Sequence, residues 1–256
     1  MPAEESTPAI VLRARDYAES DRIVTLLTRD LGKLGGIAKG AKNSRHRFER
    51  KLEPFSHVML HFRRRHGQLV FITRAEALDL TQFTLDDDLG KFALGSYMLE
   101  LTDALTREEA EAARAYGILA SALETLARRG ADTALRQAFE LKLLEWAGFG
   151  LEFARCRICA SAGGLDTAAV YFMVARGGVV CSRCRPGTAD GAIRLAARSA
   201  ASLARLAALS LGDARGSAPA GHDGTLAVAR FIASVVDRRL RSVEFLDSIL
   251  PGAGKP

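Results

Sequence analysis

Hydrophobic positions alternate with a period of two through the first eighty residues and recur about every 3.6 residues from Asp86 onward, so strands precede helices. Ile10–Arg15 and Arg22–Thr28 are short apolar or β-branched runs, and Asp30-Leu31-Gly32-Lys33 turns the chain. Leu34–Gly40 reads as a third strand, whose glycines permit sharp bending or close approach of another backbone. Residues 41–50 are polar without hydrophobic periodicity and predict an exposed loop. After Pro54, Val58, Leu60 and Phe62 alternate with His57, Met59, His61 and Arg63, the pattern of a half-buried strand. Arg64–Gly67 then turns the chain into Leu69–Thr73. Five such strands suit a small closed barrel of the OB type, with a simple antiparallel sheet as the alternative.

The helical pattern begins after Asp86-Asp87-Asp88, which can cap and complement a helix start, and runs to Thr106. Further helices are predicted over Glu108–Arg129, Thr133–Ala147, Ser199–Leu211 and Thr225–Arg241, with a surface loop at 212–224. Arg238, Arg239 and Arg241 fall near the end of the last helix, where they would oppose its negative pole. The expected class is α+β. An N-terminal OB-fold barrel (1–80) precedes a mainly helical domain (81–256) that carries a four-cysteine insert at 151–187.

Those four cysteines, Cys156, Cys159, Cys181 and Cys184, are the only ones in the chain and form two C-x-x-C pairs. Each pair can present two thiolates on one side of a tight turn, and two turns make a tetrahedral cage for zinc. The intervening 160–180 reads as a hairpin, with Gly163-Gly164 at one turn and Gly177-Gly178 ahead of the second pair. Two disulfides and a redox C-x-x-C site are the alternatives. Four thiolates close the coordination sphere, so one such zinc per chain would hold the fold and do no chemistry.

Charge adds a second signal. The chain carries a formal +6 and a pI near 9.4, which suggests an anionic partner. Between residues 33 and 65, ten cations (Lys33, Lys39, Lys42, Arg45, Arg47, Arg50, Lys51, Arg63, Arg64 and Arg65) face only Glu49 and Glu53, a surplus of 8. Four of the seven lysines of the whole chain lie between Lys33 and Lys51. A phosphate-binding surface is the expectation, against a solvated loop that merely happens to be basic. Aromatic rings are sparse there. Phe55, Phe62 and Phe71 read as core, and Phe48, inside the basic loop, is the candidate to stack on a base. Many cations with few stacking rings predict salt-sensitive contact with the nucleic-acid backbone, indifferent to sequence.

Other chemistry finds little support. His57 and His61 share a strand face about 13 Å apart, too far to share a metal. The aspartates at 86–88 are more simply a helix start than a magnesium site. There is no P-loop, H-E-x-x-H or Gly-x-Ser-x-Gly pattern, so no catalytic residue is assigned. The N-terminal residues show no signal-like apolar run, and no stretch reaches the roughly 20 apolar residues of a membrane span, so a cytoplasmic protein is expected.

Asp30-Leu31-Gly32-Lys33, Ala38-Lys39-Gly40-Ala41-Lys42, Ser44 and Leu52-Glu53-Pro54-Phe55 together resemble the N-terminal signature of the bacterial RecO recombination-mediator family. The order of barrel, helices and a C-x-x-C…C-x-x-C insert, with Arg176-Gly177-Gly178 ahead of Cys181, fits the same family. The resemblance implies a cytoplasmic, nucleoid-associated, non-enzymatic protein of the RecF pathway. It would bind single- and double-stranded DNA through the barrel and anneal complementary strands, including strands coated by single-strand-binding protein. With RecR it would help load RecA. Lys33 and Lys39 match family positions associated with DNA binding, and Lys42 and Arg45 extend that surface. The resemblance also implies that the helical domain recognises the C-terminal tail of single-strand-binding protein, through residues that no motif assigns. One departure is Ala160, where the family often has glycine after the first C-x-x-C; a side chain there restricts the turn. The rival reading is a zinc-dependent nucleic-acid-modifying enzyme with the barrel as its clamp.

Overall fold

A computed structural model describes residues 3–44, 46–64, 67–79, 85, 88–107, 112–162, 169–185 and 191–250. The chain divides into two compact units, Met1–Arg128 and Arg129–Pro256.

In the first unit, β1 (Glu5–Tyr17), β2 (Asp21–Thr28), β3 (Gly32–Ala38), β4 (His57–Arg63) and β5 (Leu69–Ala77) close into a barrel of order β1-β2-β3-β5-β4. Closure follows from the length of β1. Its first half pairs with β4 (Glu5↔Phe62 to Ile10↔His57) and its second half with β2 (Ala9↔Thr28 to Tyr17↔Asp21), with a register shift between Val11 and Arg13. A bulge of this kind bends a strand so that it serves two neighbours. The barrel shuts where β3 meets β5 in parallel, Gly36 opposite Val70. A Cβ on Gly36 would stand 2.7 Å from Ile72 Cδ1, so only glycine admits this pairing without displacing the core. Val11, Val24, Leu26, Val58, Leu60, Phe62 and Ile72 fill the interior. This is the OB-type architecture expected from the alternation.

Residues 41–44 and 46–50 do not form an open polar loop. A single 3-10 turn, Ala41–Asn43, is followed by turns held by Lys42 N–H donating to Ser20 O (3.0 Å) and Ala75 N–H donating to Arg47 O (3.1 Å). Phe48, 2% exposed, belongs to the barrel core together with Ala41 and Leu52. The expectation that its ring stacks on a base is therefore corrected: one apolar residue in a polar stretch leaves no periodicity, yet it anchors the loop. Phe62 and Phe55 are buried as expected. Phe71 is half-buried on the face of β5 opposite Val70 and Ile72, outside the barrel interior. After the barrel come α1 (Leu89–Leu105) and α2 (Ala113–Arg129). Asp88 caps α1 by accepting Lys91 N–H at 2.8 Å, as its place before the helix predicts; Asp86 and Asp87 lie outside the described residues.

In the second unit, α3 (Thr133–Trp146) starts at Asp132, which accepts Leu135 N–H at 2.7 Å. A small sheet of order β7-β6-β8 follows, from β6 (Ala169–Met173), β7 (Gly178–Val180) and β8 (Ala192–Ala196). Then come α4 (Ala197–Ala208), the single turn α5 (Leu211–Ala214), α6 (His222–Val235) and α7 (Ser242–Ile249). The strand β8 was not visible in the sequence pattern. The last predicted helix is corrected: it stops at Val235, because the chain bends to bury Val236 and Leu240. Arg238, Arg239 and Arg241 consequently lie between helices, with Arg239 paired to Glu244 at the start of α7. α3 is buried on nearly every side, and its polar residues are paired accordingly. Arg136 donates to Glu140 (2.9 Å) and Asp247 (2.8 Å), and Gln137 clamps Ala220 and Thr225. Among the described residues, no helix is long and apolar enough to cross a membrane.

Candidate nucleic-acid interface and metal centre

The cations of the 33–65 window separate into two groups once strand register is known. Lys33 points inward: its side chain is 14% exposed, and Nζ donates to the Asp103 carbonyl (2.9 Å) and pairs with Asp103 Oδ1 (3.3 Å). Lys42 is 3.0 Å from Asp16 Oδ2. The hydrogen bond from Lys42 is the main cause that holds the Asp16 carboxyl below its ordinary range; desolvation opposes it, and the charge of Lys42 and a hydrogen bond from Arg22 add to the lowering. Arg64 reaches Glu5 at 3.2 Å and Arg63 lies 4.0 Å from Glu4, because β1 begins beside the end of β4. Four of the expected DNA contacts thus face carboxylates that lie outside the window in sequence.

In the second group, Arg47 and Lys51 face neutral partners. Lys39 is exposed and its ammonium meets no partner among the described residues. Arg47 donates to Lys39 O (3.3 Å) and lies 5.0 Å over the Phe48 ring. Lys51 donates to His46 O (3.3 Å). Arg50 is exposed with left-handed backbone, φ 54°. Next to them opens a groove lined by Gly40, Asn43, Ser44, His46 and Arg47. A cation whose partner is a carbonyl can take a phosphate oxygen without breaking an ion pair, so Lys39, Arg47 and Lys51 are readily available among the described residues. Arg45 and Arg65 lie outside the described residues.

His57 and His61 do not converge on one centre. His57 Nδ1 is 2.6 Å from Asp79 Oδ2 and its Nε2 2.5 Å from the Tyr116 hydroxyl, whereas His61 lies 3.6 Å from Glu76. Burial pushes the Tyr116 phenol up to about 12, so it stays protonated beside the imidazole.

The cysteines do converge. The four Sγ atoms lie within 4.8 Å of one another, the only such group of potential metal ligands among the described residues. All four are free thiols. Bonds of about 2.3 Å to a tetrahedral zinc space sulfurs by about 3.8 Å; Cys159 Sγ and Cys181 Sγ are 4.0 Å apart. The backbone builds the cage. Arg157 N–H donates to Val179 O, Val179 N–H to Glu152 O and Glu152 N–H to Gly177 O, which press the first pair against β7. A Cβ on Gly178 would stand 2.7 Å from Glu152 O, so glycine is required at this crossing. Ala160 closes the first turn by donating to Cys156 O at 2.8 Å, with φ 58° in the left-handed region. Burial raises the Cys156 thiol, but N–H groups of Cys159, Cys181 and Ile158 outweigh it and bring it down to about 6. Cys184, hydrogen-bonded to the sulfurs of Cys181 and Cys159, is pushed up to about 12. One thiolate is ready, and a full set of four needs a cation to offset their mutual repulsion. The donor set therefore fits a metal ion.

Comparison with known sequences agrees with this architecture. Residues 1–81 match the family described as Recombination protein O N terminal, and residues 86–244 match Recombination protein O C terminal. The chain is 36% identical to DNA repair protein RecO of Anaeromyxobacter sp. (strain Fw109-5), over 96% of each chain. It is 36% identical to DNA repair protein RecO of Myxococcus xanthus over 94% of this chain and 96% of that one. The protein of the same name from Symbiobacterium thermophilum is 34% identical, over 94% of this chain and 95% of that one. With both halves matched and the identity spread along almost the whole length, the chain belongs to the RecO family of DNA repair proteins.

Proposed function

We propose that this chain is a non-catalytic recombination mediator. It binds single- and double-stranded DNA through backbone phosphates and anneals complementary strands; with RecR it helps load RecA onto DNA coated by single-strand-binding protein, whose C-terminal tail it recognises. The observation that carries this reading is the loop 39–51. There Lys39, Arg47 and Lys51 face water or neutral carbonyls while Phe48 fixes the loop to the barrel core. Arg50 and Lys42 flank them, and Arg45 and Arg65 extend the set in sequence. Lys42, Arg63 and Arg64 are exposed or half-exposed ion pairs, worth little in water and exchangeable for phosphate contacts. Lys33 contributes through the fold.

Annealing brings two polyanions together. Cations that neutralise phosphates on both strands lower the repulsion, so pairing proceeds without a nucleotide. The cysteines Cys156, Cys159, Cys181 and Cys184 hold one structural zinc, which supplies fold energy and no open coordination site. That closed sphere disfavours the reading as a zinc-dependent nucleic-acid-modifying enzyme. The setting proposed is cytoplasmic and nucleoid-associated, with the DNA-binding domain at 1–80 and the helical, zinc-bearing domain at 81–256.

The test uses two complementary fluorescent oligonucleotides, each coated with the cognate single-strand-binding protein, and follows annealing by energy transfer without nucleotide. The wild-type chain should accelerate annealing, and Lys39→Ala/Arg47→Ala/Lys51→Ala should lose most of that acceleration while remaining folded. Affinity should fall steeply with salt and equally for all sequences. Absence of acceleration by folded wild-type protein would reject the reading.

A further inference from the structure

Each cysteine pair contributes one Arg-Cys-Arg triplet, Arg155-Cys156-Arg157 and Arg183-Cys184-Arg185. Because the four Sγ atoms gather within 4.8 Å, the fold brings both triplets to one centre. The four arginines are exposed, and no carboxylate pairs with any of them among the described residues. Glu152, the acid closest to the first triplet in sequence, is committed to the backbone N–H groups of Ala154 (2.7 Å) and Arg155 (3.2 Å).

The four arginines are not equivalent. Arg157 serves the fold, donating to Gly150 O (2.8 Å) and Gly177 O (3.4 Å). The Arg185 guanidinium stacks 4.3 Å over the Tyr171 ring and donates to its hydroxyl at 3.0 Å. A guanidinium stacked on a ring leaves its outer planar face open, a platform on which a base can stack in turn. The guanidinium groups of Arg155 and Arg183 have no partner among the described residues. A tetrathiolate zinc is dianionic, so the four arginines that flank Cys156 and Cys184 in sequence exceed its charge by two. Tyr171 packs against the same cysteine cluster, which brings the stacking platform to the centre that the two triplets share.

We propose that this face of the cysteine knuckle is a second nucleic-acid site, in which Arg155 and Arg183 take phosphates and the Arg185–Tyr171 stack receives a base of single-stranded DNA. The proposal rests on the reading of the barrel loop as the first site and explains how one chain engages two strands during annealing. The chemistry favours nucleic acid over an acidic protein segment, because a peptide acid needs the cations alone and makes no use of a guanidinium–tyrosine stack.

The full metal-loaded chain is bound to a biotinylated single-stranded oligonucleotide, and capture of a second, non-complementary fluorescent oligonucleotide is measured. Arg155→Glu/Arg183→Glu should load the first strand as wild type does, yet capture the second at least tenfold less. Lys39→Ala/Arg47→Ala/Lys51→Ala should fail at the loading step. Metal content and thermal unfolding establish that each variant is folded. As an independent readout on the wild type, an iodouracil-substituted oligonucleotide irradiated in excess should crosslink to Tyr171. If the wild type loads no strand, the barrel reading fails and this site falls with it. If loading is normal, Arg155→Glu/Arg183→Glu captures as wild type does and crosslinks map only to 39–51, the knuckle site alone is overturned. Loss of polyglutamate binding in that variant, with strand capture unchanged, would likewise overturn it and assign the face to an acidic protein segment.

Discussion

Lys33 Nζ lies 3.3 Å from Asp103 Oδ1, on a carboxylate only 1% exposed in the last turn of α1, while Arg13 takes the second oxygen at 3.0 Å. Lys33 also donates to the Asp103 carbonyl, so a cation sits at the negative end of the helix. This pair ties β3 to α1 within the first unit. Removing one partner leaves a buried charge with only part of its compensation, and the full loss for such a break is about 3–5 kcal/mol. With Arg13 still in place, Lys33→Ala should cost about 2–3 kcal/mol in urea unfolding followed by circular dichroism. DNA affinity per folded molecule should stay within about twofold of wild type. Unchanged stability with lost affinity would return Lys33 to the DNA contacts.

Phe48 supports a contrasting prediction. Its ring fills the barrel beside Leu52 and Ala41 and is covered by the Arg47 guanidinium. Phe48→Ala should cost about 3–5 kcal/mol, the range for a buried aromatic. Phe48→Leu should restore most of that stability and with it DNA binding. A stacking ring would behave oppositely, with normal stability and weak binding in both variants.

The barrel is legible in the sequence because alternation is a local property: Val58, Leu60 and Phe62 announce β4 without reference to any other strand. The cysteine centre is legible for the same reason, since a C-x-x-C turn is short and its chemistry belongs to the residue type. Ion pairing is not local. That Lys42 meets Asp16, or Arg64 meets Glu5, depends on the register Glu5↔Phe62 and on a barrel closed in space. A charge count over a sequence window therefore overstates the free cations and misses that Lys33 serves the fold. The end of α6 was hidden likewise, because Val236 continues a helical pattern and only its burial turns the chain. The Arg-Cys-Arg triplets are plain in the sequence, but their convergence needs the knuckle.

Ala160 occupies a left-handed backbone position, φ 58°, in the turn that closes on Cys156. A β-carbon in this region costs about 1–2 kcal/mol relative to a right-handed conformation, and glycine escapes the penalty. Ala160→Gly should strengthen metal retention by roughly three- to tenfold in a chelator-competition titration, net of the greater freedom glycine adds to the unfolded chain. Weaker retention would mean that the Ala160 methyl contributes packing that outweighs the strain.

Removal of the metal should act on the second unit and spare the barrel. Trp146, the only tryptophan in the chain, lies at the end of α3 in that unit and reports on it selectively. Extended treatment with a chelator should lower the unfolding midpoint seen by Trp146 fluorescence, because the free energy of binding a structural metal is folding free energy. Binding of a single oligonucleotide should persist. Loss of that binding in step with the metal would contradict the assignment of the first DNA site to the barrel loop.

Asp223, in the first turn of α6, gives the second unit a defined acid sensitivity. Its carboxylate accepts Ala196 N–H (2.6 Å), Ser199 Oγ–H (2.7 Å) and Gly224 N–H (3.0 Å), fastening α6 to the junction of β8 and α4. Burial alone would raise this carboxyl, but the hydrogen bonds outweigh it and hold it below the ordinary 3.8. A group depressed on folding stabilises fully above its unfolded value, and that stabilisation disappears as pH falls through 3.8 toward the lowered folded value. Asp223→Asn keeps the size but replaces a charged acceptor by a neutral amide, at a cost of about 1–2 kcal/mol near neutrality. The difference between wild type and Asp223→Asn, followed by Trp146 fluorescence in urea, should be constant from pH 7 to about 5 and shrink on further acidification. A difference that grew as pH fell would mean that the carboxylate is destabilising in the fold, contrary to its three donors.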